Sequence, residues 1–188
     1  MSKAGVLLPQ LTSNIKYDTW VKVYDYTVTG SAVTSLSITG LNGDTAKEFK
    51  LEARIVNGYN GAANYGVRPN NDSGLNYGYQ ILYNSNATTP AAVRGTSALI
   101  YLNNGGGSSA LGDVFQTSAV IQAKSGYVRT AIIESTDKIV TTTVNFASLA
   151  GFSWNNTADN ITSLVCLADQ TGGLGVGSQI TLWSRNHR

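Results

Sequence analysis

Residues 47–57 alternate between apolar and charged side chains, and this alternation constrains the fold more than any other feature of the chain. Phe49, Leu51, Ala53 and Ile55 fall on one side of an extended segment, and the positions between them are acidic or basic. A repeat of two is typical of a β-strand with one face on a core and one face in water. The same rhythm recurs along most of the sequence, and no segment has a helical period. The sequence therefore predicts an all-β protein.

The composition indicates one domain with an unusually uncharged surface. Of the 188 residues, 42% are hydrophobic and only 13% are charged, against roughly 25% charged residues in a typical soluble domain. A surface made of Asn, Ser, Thr, Gly and Tyr can meet proteins or sugars without a large cost of desolvating charges. The net charge of +2 and the scattered basic residues argue against a nucleic-acid partner.

Neither a disulfide framework nor a membrane segment is predicted. Cys166 is the only cysteine, and its apolar neighbours favour a buried, inert thiol. The apolar run near the N-terminus is too short for a signal peptide, and no stretch is long enough to cross a bilayer. We therefore expect assembly in a cytoplasm and no membrane partner.

The periodicity divides the chain into an arm and a sandwich. Residues 1–18 have no clear period and are predicted to form an extended N-terminal arm, whereas residues 19–188 are predicted to form one β-sandwich domain. About ten antiparallel strands with turn signals between them are expected, and their long connections favour a jelly-roll-like sandwich. The predicted strands are 20–29, 33–41, 47–57, 64–68, 77–83, 96–103, 114–124, 127–135, 138–146, 160–168 and 178–184.

Several connections are predicted from turn chemistry. Asn42-Gly43-Asp44 is predicted to close a hairpin between 33–41 and 47–57, because Asn-Gly tolerates the positive φ angles of tight turns. Arg68-Pro69 is expected to break a ladder, since proline lacks an N–H. A loop is expected through Pro90, and a turn at 135–137.

The residues that enzymes need are scarce. The only histidine is His187, next to the last residue, where no third group would orient an imidazole for nucleophilic catalysis. A glycosidase needs two carboxylates facing one bond, and the sequence indicates no pairing among its candidates, which are Glu52, Asp72, Asp113, Glu134 and Asp159. Residues 70–73 offer oxygen ligands for calcium but indicate first a turn. We expect no catalytic residue, no cofactor and no metal.

Tyrosines mark a candidate contact surface. Six of the ten lie between residues 59 and 101, interleaved with Asn, Gln and Arg. Such residues suit either carbohydrate stacking or a subunit interface, and alternate tyrosines also suit a core. Tyr59 and Tyr65 lie in turn-rich sequence and are expected to be exposed. The candidate contact residues are Tyr59, Tyr65, Arg68, Asn70, Asn71, Asp72 and Tyr77.

The closing segment, residues 154–183, resembles bacteriophage virion structural proteins. In those proteins an Ile-Thr-Ser-Leu strand, a Gly-rich loop and a Gly-Ser-X-Ile-X-Leu-aromatic strand end a β-sandwich module. The matching residues here are Ile161, Leu164, Gly177, Ser178, Ile180, Leu182 and Trp183. Segments 38–45, 49–57 and 68–72 also look like those proteins, so that the resemblance covers about two thirds of the chain in patches.

The resemblance implies a non-enzymatic virion component. It would be a capsid decoration or head-fibre protein, located in the virion and assembled with other capsid or tail subunits as a homo-oligomer, which we expect to be a trimer. The predicted docking arm carries Lys3, Leu7, Leu8, Ile15 and Tyr17, and residues 184–188 are a second reaching element. The alternative is a carbohydrate-binding tail or adhesin module that recognises a host-surface glycan through the tyrosine-rich residues.

Overall fold

The computed structural model describes residues 19–85, 89–103, 110–138 and 144–186, so the predicted docking arm and His187 lie outside the described residues. Within them the chain is all-β, with one four-residue helical turn, α1 (Gly43–Ala46). The strands are β1 (Val21–Thr27), β2 (Ser35–Thr39), β3 (Glu48–Val56), β4 (Tyr65–Pro69), β5 (Tyr77–Ser85), β6 (Ala91–Ser97), β7 (Ile100–Tyr101), β8 (Val114–Gln122), β9 (Arg129–Lys138), β10 (Val144–Trp154), β11 (Ser163–Ala168) and β12 (Gln179–Arg185).

These twelve strands form two antiparallel sheets that make a sandwich. The larger sheet has the order β1-β12-β3-β8-β9-β10-β5-β6, and the smaller one has the order β2-β11-β4-β7. The chain crosses between the two sheets several times, although β5–β6 and β8–β10 follow one another within the larger sheet. The predicted fold class is therefore confirmed, with twelve strands in the described residues instead of about ten.

The core lies between the inner faces of the two sheets, where the alternating apolar residues meet. Tyr65 of β4 stacks on Phe115 of β8 with ring centroids 5.7 Å apart. Tyr101 of β7 meets the ring of Tyr79 of β5 edge-on at 5.9 Å. These contacts bridge the sheets, and each fully buried side chain of this size contributes about 1.5–3 kcal/mol.

The predicted hairpin between β2 and β3 is wrong. β2 pairs with β11 in the smaller sheet, whereas β3 pairs with β12 and β8 in the larger one. Asn42 caps the helical turn instead, accepting a hydrogen bond from the N–H of Thr45 at 3.1 Å. Asn before a short helix and Asn-Gly in a hairpin have the same sequence signature. Gly43 is needed for space, since a Cβ there would lie 2.7 Å from the carbonyl oxygen of Ala123.

Three other predictions of local structure are also wrong. Pro69 does not break the ladder, because β7 pairs only with Gly66 and Val67 and leaves the side of Pro69 that lacks an N–H without a strand. The predicted strand 96–103 is replaced by two strands, because after the predicted loop through Pro90 the chain already forms β6 from Ala91, and the short β7 follows in the other sheet. β6 is an edge strand exposed on both faces and therefore lacks alternation. Residues 135–137 continue β9 and do not turn.

Candidate functional site

The predicted contact residues do not form one surface. Tyr59 lies in the connection that follows β3, whereas Arg68 and Asp72 lie at the far end of β4, at the opposite end of the sandwich. The expectation that Tyr65 is exposed is wrong, because its side chain is 1% exposed. Tyr77 is 0% exposed and stacks on Trp154 with ring centroids 6.3 Å apart. Both rings are core components and present no face to a sugar or a partner.

The polar residues of the 69–76 loop form hydrogen bonds that stabilise the loop. Asp72 donates its N–H to the carbonyl of Pro69 at 3.0 Å, which closes the predicted turn. Its carboxylate accepts hydrogen bonds from Trp154 Nε1 at 2.8 Å and from the N–H of Gly74 at 2.9 Å. Burial raises the pKa of Asp72, but these hydrogen bonds and that from Asn76 outweigh it and leave the pKa below its ordinary value.

Two neighbours of Asp72 are also engaged internally. The Asn70 amide donates to the carbonyl of Asn160 at 2.8 Å and accepts from the N–H of Thr162 at 2.8 Å. Arg68 donates its Nε–H to the carbonyl of Ala98 at 2.9 Å. Asn71 sits in the turn with a positive φ of 54°. Arg68, Asn70 and Asp72 therefore brace the loops at this end of the sandwich.

The outer face of the larger sheet is a candidate contact surface that the sequence analysis did not predict. Strand registers place one row of outward side chains across the whole sheet. From edge to edge this row consists of Asp25, Thr181, Glu52, Ser118, Glu134, Leu149, Leu82 and Ala92. On β12, β3, β8 and β9 the residues on either side of the row are buried, so the row faces away from the smaller sheet.

One half of this face carries a run of apolar side chains. We call Val120, Ile132, Leu149 and Leu82 the apolar strip; Val120 pairs with Ile132 across β8 and β9, and Leu149 pairs with Leu82 across β10 and β5. Ile132 is 62% exposed, Leu149 50% and Leu82 52%. The sequence does contain an indication of this apolar outer face. Ile132-Ile133 and Ile81-Leu82 are pairs of consecutive apolar residues, and such a pair places one apolar side chain on each face of a strand.

The other half of the face carries a groove of about 740 Å³. Its outward lining residues come from β12, β3, β8, β9 and β10, and they are Gln179, Thr181, Glu52, Arg54, Gln116, Ser118, Glu134, Thr136 and Leu149. Glu52 is held by Lys50 Nζ at 2.6 Å and by Trp183 Nε1 at 2.9 Å. The hydrogen bond from Lys50 lowers the pKa of Glu52, burial opposes it, and the bond from Trp183 lowers it further.

The described residues contain no group of three or more His, Cys, Asp or Glu side chains that could hold a metal ion. Cys166 is buried, and burial raises the pKa of its thiol to about 12. Glu52 and Glu134 line the same groove on β3 and β9, but the pKa of Glu52 is lowered and Glu134 is exposed. Glu52 is therefore not the carboxyl group, raised in pKa by an apolar pocket, that a glycosidase uses as its general acid.

Over the part of the chain that is described, no helix has the length and apolar character to cross a membrane. Comparison of the chain with protein-family models, with curated proteins and with solved structures finds no match. The resemblance to phage virion proteins therefore stays a prediction, and the function is argued from the surfaces described above.

Proposed function

We propose that this chain is a non-enzymatic structural protein of a bacteriophage virion, which assembles with copies of itself and docks on other virion subunits. The observation that best supports this proposal is the apolar strip on the outer face of the larger sheet. Contiguous exposed apolar side chains on a soluble domain mark interaction surfaces, because leaving them in water is unfavourable. The low charge of the chain also fits a surface that is covered on assembly.

The strip suits contact between identical copies. It is formed by side chains on three adjacent, fully paired strands, β9, β10 and β5, with Val120 on β8 beside them. Because the sheet is already rigid, few backbone or side-chain groups lose conformational freedom when the contact forms. Most of the free energy gained by burying the apolar side chains therefore contributes to association. A second copy supplies the same apolar side chains, and closed symmetry repeats the contact. We propose a trimer as the assembled form.

The N-terminal arm is the proposed docking element. The arm residues proposed to contact the other virion subunits are Lys3, Leu7, Leu8, Ile15 and Tyr17. They lie outside the described residues. The chain enters the sandwich at Trp20, whose ring lies 4.5 Å from the guanidinium of Arg185 near the end of β12. Arg185 in turn forms an ion pair with Glu48, which is buried, contrary to its predicted place in water. The arm therefore starts from a fixed point at one edge of the larger sheet.

Light scattering coupled to size-exclusion chromatography tests the assembly. We expect the wild-type chain to form an oligomer and the Ile132→Glu variant to be a folded monomer, because a buried glutamate without a partner is costly. Leu75→Glu is the matched control, since Leu75 is 73% exposed in a loop away from the strip. A wild-type monomer at all concentrations, or an Ile132→Glu oligomer of unchanged mass, would contradict the proposal.

Truncation tests docking separately. A chain that lacks residues 1–16 should keep the thermal unfolding transition of the sandwich but should no longer bind phage particles from which this protein has been removed. Full-length protein added to the same particles is the control. A truncated chain that reaches full occupancy on the particles would show that the arm does not dock.

A further inference from the structure

The groove on the outer face of the larger sheet is built almost entirely from hydrogen-bonding side chains. Two parallel rows line it on β12, β3, β8 and β9. The first row is Thr181, Glu52, Ser118 and Glu134, and the second is Gln179, Arg54, Gln116 and Thr136. Short side chains at Ser118 and Thr181 stand among longer ones, which leaves a depression of about 740 Å³ on an otherwise regular face.

The planar polar groups in the groove are set on a rigid frame. Ser118 lies on β8 between Glu52 on β3 and Glu134 on β9, so the two glutamates are two strand spacings apart, about 9–10 Å between their Cα atoms. The Glu52 carboxylate is fixed from one side by Lys50 and Trp183. The Glu134 carboxylate has no ion pair or hydrogen bond within the described residues, and it remains available to a ligand.

Apolar surface lies beside these polar groups. Trp183 is partly buried next to Glu52, and Leu149 of the apolar strip lines one end of the groove. A sugar ring presents hydroxyl groups at its rim and C–H groups on its faces. Carboxylate, amide and guanidinium groups bind the hydroxyl groups, and aromatic or aliphatic side chains pack against the faces.

We propose that this groove binds a neutral oligosaccharide without cleaving it. The site is distinct from the tyrosine-rich loops in which the sequence placed the carbohydrate-binding alternative. Among the charged residues that line the groove, Glu52 and Glu134 outnumber Arg54, and this excess of negative charge disfavours phosphate, sulfate and uronate groups. An extended peptide would need a free strand edge, and β3, β8 and β9 are paired on both sides. The groove and the apolar strip meet at Leu149, which belongs to both. Ile132 lies in the strip alone, and Ser118 and Glu134 lie in the groove alone, so variants at these residues test the two proposals separately.

A glycan array probed with the full chain tests the proposal. The array carries neutral hexose and N-acetylhexosamine oligosaccharides together with sulfated and uronate-containing ones. We expect binding to one or more neutral oligosaccharides, loss of that binding in Ser118→Trp, and binding about tenfold weaker in Glu134→Gln. Gln80→Trp is the matched control, because Gln80 lies on the same outer face three strands from Ser118 and outside this groove.

Thermal unfolding of each variant separates loss of the site from loss of the fold, and Glu134→Gln serves if Ser118→Trp does not fold. Absence of neutral-glycan binding by the wild type, binding confined to anionic glycans, or equal binding by both groove variants would overturn the proposal. Release of new reducing ends from a bound oligosaccharide would overturn its non-catalytic part. A chain that assembles normally but binds no neutral glycan would disprove this inference alone.

Discussion

Trp154 donates its indole Nε1–H to the carboxylate of Asp72 at 2.8 Å, although the two residues are 82 positions apart. Trp154 is the last residue of β10 and is fully buried, whereas Asp72 lies in the loop between β4 and β5. The same carboxylate accepts hydrogen bonds from Gly74 and Asn76. The hydrogen bond therefore fixes the loop between β4 of the smaller sheet and β5 of the larger sheet against the end of β10.

Replacing Asp72 by alanine should lower the free energy of unfolding by about 1–3 kcal/mol, because several donors lose a charged acceptor at once. Denaturant unfolding measures the change. Trp154→Phe removes the N–H donor and some ring volume but leaves an aromatic ring beside Tyr77. The two substitutions together form a double-mutant cycle, in which the cost of the lost volume cancels. If Asp72→Ala costs the same free energy with Phe as with Trp at 154, the hydrogen bond does not couple the two residues.

The lowered pKa of Asp72 predicts how stability depends on pH. Burial raises this pKa, the hydrogen bonds from Trp154, Gly74 and Asn76 lower it more, and the folded value lies below the ordinary 3.8. The unfolded chain then binds more protons near that pH, so the stabilisation is complete above the unfolded pKa and is lost as the pH falls through the folded value. Asp72→Asn should flatten the loss of stability between about pH 5 and 3, measured by urea unfolding. An unchanged slope would contradict this.

Replacement by alanine should affect stability differently at two glycines, because Gly58 is tightly packed and Gly151 is not. A Cβ on Gly58 would lie 2.3 Å from the carbonyl oxygen of Gly172 and 2.8 Å from the Cα of Gly175, whereas a Cβ on Gly151 would meet nothing within 4 Å. Gly58→Ala should therefore destabilise the protein by about 1–3 kcal/mol or more, and Gly151→Ala should be neutral or slightly stabilising. Equal melting temperatures of the two variants would mean that the 57–58 and 172–175 segments do not pack closely.

The β-strands were predictable because their side chains alternate, but the assignment of strands to sheets was not. The alternating apolar residues Phe49, Leu51 and Ile55 indicate the buried face of β3. The predicted strand 47–57 extends only one residue beyond each end of the observed strand. Nothing in a local pattern distinguishes the hairpin expected at Asn42-Gly43 from the capped turn that crosses between the sheets. That choice is made by contacts distant in sequence, such as the hydrogen bond from the Gly43 N–H to the Ile161 carbonyl.

The candidate site was harder to predict for the same reason. Ser118 and Glu134 belong to different strands, and only the strand registers place them side by side with Glu52. The composition of the tyrosine-rich segment predicts a contact surface, but the side chains of Tyr65 and Tyr77 are buried in the core. Composition identifies residue types suited to contacts, whereas exposure depends on which face of a strand each residue occupies.

Cys166 should be unreactive until the protein unfolds. The thiol is buried in β11, and burial raises its pKa to about 12, so almost none is thiolate at neutral pH. We expect negligible reaction with an aromatic disulfide reagent in buffer and one thiol titrated per chain in denaturant. Cys166→Ala supplies the blank. Rapid modification of the native protein would show that β11 opens readily.

Arg129 offers the sharpest test of whether a buried charge stabilises this sandwich. Its guanidinium lies 5.2 Å from the ring of Trp154 and donates from Nη2 to the carbonyl of Asp159, but Nε and Nη1 have no hydrogen-bond partner within the described residues. Burial lowers the pKa of Arg129, and nearby Asp44 and Asp159 raise it by less.

A buried ion without full hydrogen bonding stabilises little more than an apolar side chain of similar length. Arg129→Met should therefore keep stability within about 1 kcal/mol of the wild type or improve it. Arg129→Ala should lose about 2–5 kcal/mol, because it leaves a cavity under Trp154. Denaturant unfolding of the three proteins decides between packing and charge. Equal losses in both variants would show that the positive charge, through Asp44 and Asp159, is what holds the loops at this end of the sandwich.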